Sequence, residues 1–268
     1  MSGAASSHPR VCVLFALPEE AAPFLRRMDA VPELRQRCMV RISGVGADKA
    51  AQEIGPLLTE DVIDHLIICG FGGGLTKQFK PGTVIVADRV LDATGDGFKS
   101  PIGYDIGYEP DSNMMRWTSG WEGHKKLHRS GQIFSVDGRR LEWMNDWRGT
   151  LATVGHVLTT PEEKRTLHDI TQASMVDMET VGAVKEAIMV ELPWIAIRAA
   201  TDTVDEALPL DFNALADAEG NVDRSRVIKA TLAQPWKIPA LIQLGSRSAL
   251  AAKNLASFLE YYLQRWPG

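Results

Sequence analysis

Three acidic side chains lie where an apolar run of the sequence gives way to a polar one. Glu20 follows the first predicted strand, Glu179 follows a strand that ends near Met178, and Asp202 follows a strand that ends near Ala200. Glycosidic bond cleavage develops positive charge on the sugar, so it needs nearby carboxylates and an acid for the leaving group. The three residues are therefore candidates for glycosyl transfer. Each one alone also fits the first turn or cap of a helix, where the helix dipole favours acidic residues.

Two glycine-rich segments offer places where backbone N–H groups could approach a ligand. Residues 44–49 have the sequence GVGADK and residues 70–77 have the sequence GFGGGLTK, and each segment follows a predicted strand. Neither segment has the spacing of the dinucleotide-binding fingerprint or of the P-loop. Tight turns would explain both of them.

Alternating strands and helices position these residues. Apolar, β-branched runs predict strands at 11–17, 39–43, 65–69, 83–87, 151–158, 175–178 and 193–200, and helix formers predict helices at 19–28, 47–58 and 179–190. Thr160 followed by Pro161 and Glu163 has the pattern of a capping box and marks a further helix start. The order predicts an α/β fold, a mixed sheet flanked by helices, with the site at the carboxyl ends of the strands.

Two regions depart from this alternation. The segment from Asp92 to Gly149 contains four of the seven tryptophans together with many glycines and charges. We expect this excursion from the sheet to contribute an apolar pocket wall or a dimer contact. The tail from Asp211 to Gly268 has a helical pattern that is clearest from Ser246 to Leu263. No repeat or flexible linker marks a boundary, so residues 1–268 are predicted to form a single domain.

Charge and hydropathy limit the classes of partner. The chain has 29 basic and 34 acidic side chains, a formal net charge of -5, and no long run of either sign. This balance argues against a nucleic-acid binder or a protein that binds anionic membranes. The longest apolar runs are strand-sized and the first ten residues are polar, so we expect no transmembrane segment, no signal peptide and a cytoplasmic location.

The cysteines and histidines indicate no metal site. Cys12, Cys38 and Cys69 are widely spaced, and we expect them to be buried reduced thiols. His124 and His128 have helical i, i+4 spacing, but no third ligand lies near them, and we expect them on the surface. Neither a metal nor a cofactor is predicted.

The order of the motifs resembles the nucleoside phosphorylase superfamily, and especially its methylthioadenosine/S-adenosylhomocysteine nucleosidase-like branch. The similarity covers Val11 to about Phe212 with the excursion set aside. The matching stretches are Ala16-Leu-Pro-Glu-Glu20, Ser43-Gly-Val-Gly46, Gly70-Phe-Gly-Gly-Gly-Leu75, Val176-Asp-Met-Glu179 and Arg198-Ala-Ala-Thr-Asp202. The last two stretches are the most specific. Residues 205–212 and the helical tail also resemble phosphorylase-like proteins associated with hopanoid lipid synthesis, a group linked to removal of adenine from an adenosyl-lipid.

The resemblance implies a role for each acidic residue. Glu20 matches the carboxylate that activates the attacking water, and Asp202 matches the acid that helps protonate N7 of the departing purine. Glu179 matches the residue that binds the ribose 2′- and 3′-hydroxyls, with Met178 against the sugar or base. The other substrate contacts that it implies are Val45, Gly46, Phe71, Gly72, Gly73 and Leu158. The resemblance also implies a homo-oligomer, with a dimer favoured.

Departures from the family pattern concern the substrate rather than the type of bond. Phe71 stands where the family usually has a small residue such as serine, and His156 stands about where the nucleosidases carry an aspartate. Residues 157–159, in the region of the 5′-pocket, match only loosely. The identity of the base and of the 5′-substituent stays open.

Three functions remain possible at this point. The first is hydrolysis of a purine nucleoside or adenosyl compound, the second is phosphorolysis by a glycosyltransferase, and the third is nucleoside binding without catalysis. A phosphate dianion requires basic side chains, and the stretch from Leu66 to Phe71 is apolar. The sequence therefore favours water as the acceptor. Against this, Arg41 and Lys77 flank the glycine-rich segments, and a neighbouring subunit could donate a basic residue for phosphate.

Overall fold

The structure is a computed structural model that describes residues 11–59, 62–95, 148–215 and 224–265. Within these residues the strands are β1 Val11–Phe15, β2 Cys38–Ile42, β3 His65–Gly74, β4 Val84–Ala93, β5 Arg148–Val154, β6 Met175–Asp177 and β7 Trp194–Asp202. The helices are α1 Pro18–Ala30, α2 Pro32–Arg37, α3 Ala47–Thr59, α4 Pro161–Thr171, α5 Thr180–Met189, α6 Phe212–Leu215, α7 Arg224–Ala233 and α8 Ile238–Arg265, with a 3₁₀ turn at Pro235–Lys237 before α8.

The strands form a mixed sheet, which confirms the predicted α/β class. β3 is parallel to β1 and β7, and β1 is parallel to β2. β7 is antiparallel to β4, β4 is parallel to β5, and β5 is parallel to β6. The end of β3 then pairs antiparallel with β6. The strands β3, β7, β4, β5 and β6 therefore close into a ring, and β1 and β2 extend the sheet from it.

Helices cover both faces of the sheet, and side chains alternate between the two covers. Phe15 of β1 packs in a core with Phe24 of α1 and Leu259 of α8. Leu14, its neighbour in the strand, points to the other face and packs in a core with Ile54 of α3. Because both faces of β1 are buried, the strand is a continuous apolar run rather than an alternating one.

The second glycine-rich segment is a strand and not the turn that the sequence predicted. β3 continues from Cys69 through Gly74, because the closing ring brings its end against both β6 and β7. A Cβ atom at Gly72 would lie 2.8 Å from Sδ of Met175, and one at Gly74 would lie 2.9 Å from the carbonyl oxygen of Asp202. Glycine is needed here for close strand packing. The first segment is a turn as predicted, with φ of +86° at Gly44 and +111° at Gly46.

Other predicted boundaries shift by a few residues. β7 continues past Ala200 and includes Asp202, so this acid is the last residue of its strand rather than a residue after it. β5 ends at Val154 and not near Leu158. β4 runs to Ala93 and β5 begins at Arg148, so the excursion narrows to 94–147, of which 96–147 lie outside the described residues. The predicted surface positions of His124 and His128 lie outside them as well.

The remaining expectations about composition concern the cysteines, metals and membranes. Cys12, Cys38 and Cys69 are free and buried, as predicted, and burial raises the pKa of the Cys12 thiol to about 12. The described ranges contain no cluster of histidine, cysteine and acidic side chains that could hold a metal ion. In the same part of the chain, no helix is long and apolar enough to cross a membrane.

Candidate active site

A cavity of about 400 Å³ opens at the carboxyl ends of β1, β6 and β7. The three predicted acids, Glu20, Glu179 and Asp202, all line it. The structure also places in its wall most of the predicted substrate contacts, which are Val45, Phe71, Gly72, Gly73, Leu158 and Met178. Phe212 of α6 and Leu244 of α8 contribute apolar surface from the C-terminal region. Gly46 does not line the cavity, but its N–H donates a hydrogen bond to Oε1 of Glu179.

Glu20 lies in the first turn of α1, which begins at Pro18 because proline fits the first helical position. Its Oε2 accepts hydrogen bonds from the backbone N–H groups of Ala16 at 3.0 Å and Leu17 at 2.9 Å, and its Oε1 accepts one from Phe71 at 2.7 Å. The Glu20 side chain therefore caps backbone N–H groups at the start of α1, and it also lines the cavity. Burial raises the pKa of Glu20, while the Arg198 charge and these hydrogen bonds oppose the rise.

Glu179 occupies the N-cap position before α5. Its Oε1 accepts a hydrogen bond from the N–H of Gly46 at 3.1 Å, and Gly46 has a positive φ of +111° in the turn before α3. Its Oε2 lies 3.5 Å from Nη1 of Arg198. Burial raises the pKa of Glu179 to about 7; Arg198 opposes the rise, whereas Asp177 and Glu20 add to it. Burial therefore favours the protonated form of this carboxyl group.

Arg198 is a functional candidate that the sequence reasoning missed. It lies in the middle of β7, is 1% exposed, and sits beneath the cavity, where its guanidinium forms a salt bridge with Asp177. Its Nη2 donates to Oγ1 of Thr180 at 2.8 Å. Asp177 also accepts a hydrogen bond from Oγ1 of Thr153 at 2.6 Å. An arginine inside an apolar strand was the available signal, because a buried guanidinium requires carboxylate partners.

Asp202 has a second unpredicted cation beside it. The Lys164 ammonium, in the first turn of α4, forms a buried salt bridge with Oδ2 of Asp202. Oγ1 of Thr201 donates to the other oxygen at 2.8 Å. The predicted capping box sets the start of α4, since Glu163 accepts from the N–H of Thr160 at 2.9 Å and Oγ1 of Thr160 accepts from the N–H of Glu163 at 3.2 Å. Because the capping box fixes where α4 begins, it also fixes the position of Lys164 in the first turn, next to Asp202.

The basic residues that the sequence offered for a phosphate ion lie elsewhere. Arg41 pairs with Glu53 of α3 at 3.9 Å, and Lys77 is exposed. Neither of them lines the cavity. His156 does line the cavity and is exposed at its edge. Among the described residues, the site thus brings together four acidic side chains, with Asp177 as the fourth, and the basic side chains of Arg198 and Lys164.

The closed mixed sheet and the acid-lined cavity define an α/β protein with an enzyme-like site, and comparison with known proteins identifies its family. The family model described as the phosphorylase superfamily matches residues 10–233. The chain therefore belongs to the phosphorylase superfamily, which confirms the predicted family.

Similar proteins include a nucleosidase that matches in sequence and a hydrolase and a nucleosidase that match in fold. A 5′-methylthioadenosine/S-adenosylhomocysteine nucleosidase from Listeria monocytogenes serotype 4a (strain HCC23) is 24% identical over 174 residues, which cover 64% of this chain and 71% of the relative. The native futalosine hydrolase of Helicobacter pylori strain 26695 superposes with a TM-score of 0.67 at 15% identity, over 98% of this chain and 100% of that chain. The S-adenosylhomocysteine nucleosidase from Streptococcus pyogenes, solved in complex with 5-methylthiotubericidin, superposes with a TM-score of 0.66 at 18% identity. The match covers 99% of this chain and 100% of that chain.

Gly70 leaves the space that the buried guanidinium occupies. A Cβ atom there would lie 2.2 Å from Nη1 of Arg198 and 3.0 Å from Oε1 of Glu20. Because Arg198 is held by its partners, we expect Gly70→Ala to lower the free energy of unfolding by about 1–3 kcal/mol. Gly55→Ala in α3 is the control, since its nearest neighbour would be 3.8 Å away. Urea denaturation checks both, and equal stability of Gly70→Ala and wild type would contradict the prediction.

The raised pKa of Glu179 predicts how stability changes with pH. The pKa of Glu179 is 4.5 in the unfolded chain and about 7 in the folded protein. Between these two pH values, the folded protein keeps a proton on Glu179 that the unfolded chain has lost. The contribution of this residue to the free energy of unfolding therefore falls as the pH rises through that window, by on the order of 3 kcal/mol. Thermal denaturation at pH 5, 6, 7 and 8 should show a weaker pH dependence in Glu179→Gln than in wild type. Parallel curves for the two proteins would refute this.

Proposed function

We propose that the protein hydrolyses the N-glycosidic bond of a purine nucleoside or adenosyl compound and releases the free base. The observation that carries this proposal is the meeting of Glu20, Glu179 and Asp202 around one cavity, each with different partners. The names of the relatives, which are nucleosidases of methylthioadenosine and S-adenosylhomocysteine and a futalosine hydrolase, support the same class of reaction.

Glu20 is the proposed general base for water. Its raised pKa makes it a stronger base than an exposed carboxylate, and its three backbone hydrogen bonds fix its position. As water attacks C1′, its proton passes to Glu20, while the bonding electron pair of C1′–N9 moves to the purine. The negative charge of Glu20 also favours the positively charged sugar that forms in the transition state.

Glu179 and Asp202 are the proposed ligands of the sugar and the base. Glu179 is fixed by Gly46 on one oxygen and lies beside Arg198 on the other, so it can accept hydrogen bonds from the ribose hydroxyls in one orientation. Asp202 lies at the end of β7 and would hold the proton on N7 of the departing purine. Met178, next to Glu179, provides apolar surface for the sugar or base.

The charge balance favours water over phosphate as the acceptor. Lys164 and Arg198 already contact carboxylates, and the excess of acidic over basic side chains would repel a dianion. Phosphorolysis remains the alternative reaction, and nucleoside binding without catalysis is the third.

Composition and the family resemblance support a proposal for the cellular setting. We infer a cytoplasmic homo-oligomer, with a dimer favoured, that requires no cofactor. The base and the 5′-substituent are expected to be adenine and a group that the exposed His156 and the apolar side chains of Phe212 and Leu244 can accommodate. The resemblance to the hopanoid-associated proteins stays a prediction.

Substitution of the catalytic candidates tests their roles. We expect Glu20→Gln and Asp202→Asn each to lower kcat for methylthioadenosine or adenosine by two or more orders of magnitude, since each change removes proton transfer but keeps the shape. Glu19→Gln, at the exposed neighbour of Glu20, is the matched control and should keep wild-type turnover. A folded Glu20→Gln or Asp202→Asn protein with near-normal kcat would remove that residue from the catalytic set.

The nature of the acceptor is tested by the sugar product. We expect adenosine, methylthioadenosine, S-adenosylhomocysteine or inosine, whichever reacts, to give free sugar at the same rate with and without phosphate. In ¹⁸O-labelled water, mass spectrometry should find one labelled oxygen in the sugar at C1′. Strict phosphate dependence with a sugar 1-phosphate product would establish phosphorolysis instead. Tight binding without release of base from any of the four compounds would favour a binding protein.

A further inference from the structure

One part of the cavity wall is a loop, although the rest is built on strands and helices. Residues 155–160 join β5 to α4 without regular secondary structure, and we name them the wall loop. His156, Val157 and Leu158 of the wall loop line the cavity. Because the backbone of a loop has no helix or sheet ladder to hold it, other contacts must fix its position.

The side chain of Asn213 holds the middle of the wall loop. Its Oδ1 accepts a hydrogen bond from the N–H of Val157 at 2.8 Å, and its Nδ2 donates to the carbonyl oxygen of Val157 at 2.9 Å. A carboxamide has both an acceptor and a donor, so it matches both backbone groups of one residue. Asn213 thus binds Val157 as a neighbouring strand would bind it in a sheet.

Other contacts hold the end of the wall loop that lies next to α4. The N–H of Thr159 donates to Oε2 of Glu163 at 2.8 Å. The carbonyl oxygen of Thr159 accepts from the N–H of Leu208 at 2.9 Å. These bonds do not involve Val157, which lies nearer to β5. In the described part of the chain, the side chain that hydrogen-bonds to the backbone of Val157 is Asn213.

The same carboxamide also connects α6 to the cavity wall. α6 has four residues, Phe212–Leu215, and none of these described side chains is buried. A helix of one turn is unstable alone because its nucleation is unfavourable. Within the turn, Oδ1 of Asp211 accepts from the N–H of Ala214 at 3.2 Å. Asn213 ties this short helix to the wall loop, and its neighbour Phe212 lines the cavity.

We propose that Asn213 is a positioning residue that determines substrate affinity, because it holds α6 against the wall loop so that Val157 and Phe212 form one continuous apolar wall. The inference rests on the proposed function and adds to it a residue that is exposed and does not itself line the described cavity. Without the carboxamide, the wall loop and α6 separate in part of the population.

This separation affects binding rather than the chemical step. The apparent dissociation constant of a ligand rises in inverse proportion to the fraction of protein that is competent to bind it. Once substrate is bound, the wall is closed again, and the contacts of Glu20, Glu179 and Asp202 are the same as in wild type. A variant that lacks the carboxamide should therefore change KM much more than kcat.

Steady-state kinetics test this expectation. We expect Asn213→Ala to raise KM for methylthioadenosine, or for whichever nucleoside reacts, about tenfold and to keep kcat within about twofold of wild type. Asp205→Ala is the matched control. Asp205 also links the region after β7 to α4, through its pair with Arg165 at 2.7 Å, but both side chains are half-exposed and neither lines the cavity. This control should keep the wild-type KM. A wild-type KM in Asn213→Ala, or a loss confined to kcat, would overturn the proposal.

Asn213→Asp is a second variant that separates the two hydrogen bonds. A carboxylate keeps an acceptor for the N–H of Val157 but has no donor for its carbonyl oxygen. KM should therefore rise in this variant as well, again with kcat close to wild type. An unchanged KM would show that the paired hydrogen bonds do not set affinity, and it would count against the proposal even if Asn213→Ala did not fold.

Hydrogen exchange measured by mass spectrometry distinguishes local positioning from a general loss of stability. In Asn213→Ala, peptides that cover residues 155–160 should exchange faster than in wild type, whereas β1 should exchange at the wild-type rate. Faster exchange in both places would indicate a purely structural role. Unchanged exchange in the wall loop would show that Asn213 does not hold it. Either result would overturn the proposal.

Binding of adenine, which cannot be hydrolysed, separates this inference from the proposed function. Calorimetric titration gives the dissociation constant for adenine in wild type and in Asn213→Ala. Weaker binding in the variant, with no hydrolysis of any nucleoside by wild type, would refute the proposed function alone. Hydrolysis by wild type, with equal KM and equal adenine binding in the variant, would refute the role of Asn213 alone. No binding of adenine and no hydrolysis by wild type would refute both.

Discussion

The buried guanidinium of Arg198 is the interaction on which the site depends. It pairs with Asp177, lies beside Glu179, and is near enough to Glu20 to oppose the rise in the pKa of that carboxyl. An unpaired charge at this depth would cost several kcal/mol, so β7 must lie close to the end of β6, which provides Asp177, and to the start of α5, where Glu179 lies. Gly70 leaves the room that this approach requires. One cation thereby holds together acids from distant parts of the sequence.

The glycines of β3 allow the sheet to close, and they also leave the space that forms the cavity. Because Gly72 and Gly73 lack side chains, the end of β3 can contact β6 and β7 at once, which brings Asp177 and Asp202 to one edge. The missing side chains also leave open space beside those acids, and both glycines line the cavity. Replacing them with larger residues would therefore oppose closure and fill the site.

Local patterns predicted most of the elements, whereas the missed features depend on long-range pairing. The turn at Gly44, the capping box at Thr160 and the three strand-end acids can be recognised within a few residues of sequence. The strand at residues 70–74 cannot be recognised in this way, because glycine has a low strand propensity. These residues form a strand because the end of β3 pairs with β6 and β7 in the closed ring. Lys164 resembles an ordinary helix-surface lysine in sequence, and its burial depends on the position of Asp202.

The three candidate acids differ chiefly in what neutralises them, and this difference suits a reaction that needs both a base and an acid. Backbone N–H groups hold Glu20, a backbone N–H and a shared guanidinium hold Glu179, and a dedicated ammonium holds Asp202. Carboxyl groups in unlike environments titrate differently, which is how neighbouring acids take opposite roles at one pH. In the proposed mechanism, Glu20 is the base for water and Asp202 is the acid at the purine. The contacts that fix each carboxyl group in place are therefore also the basis of the proposed difference in their roles.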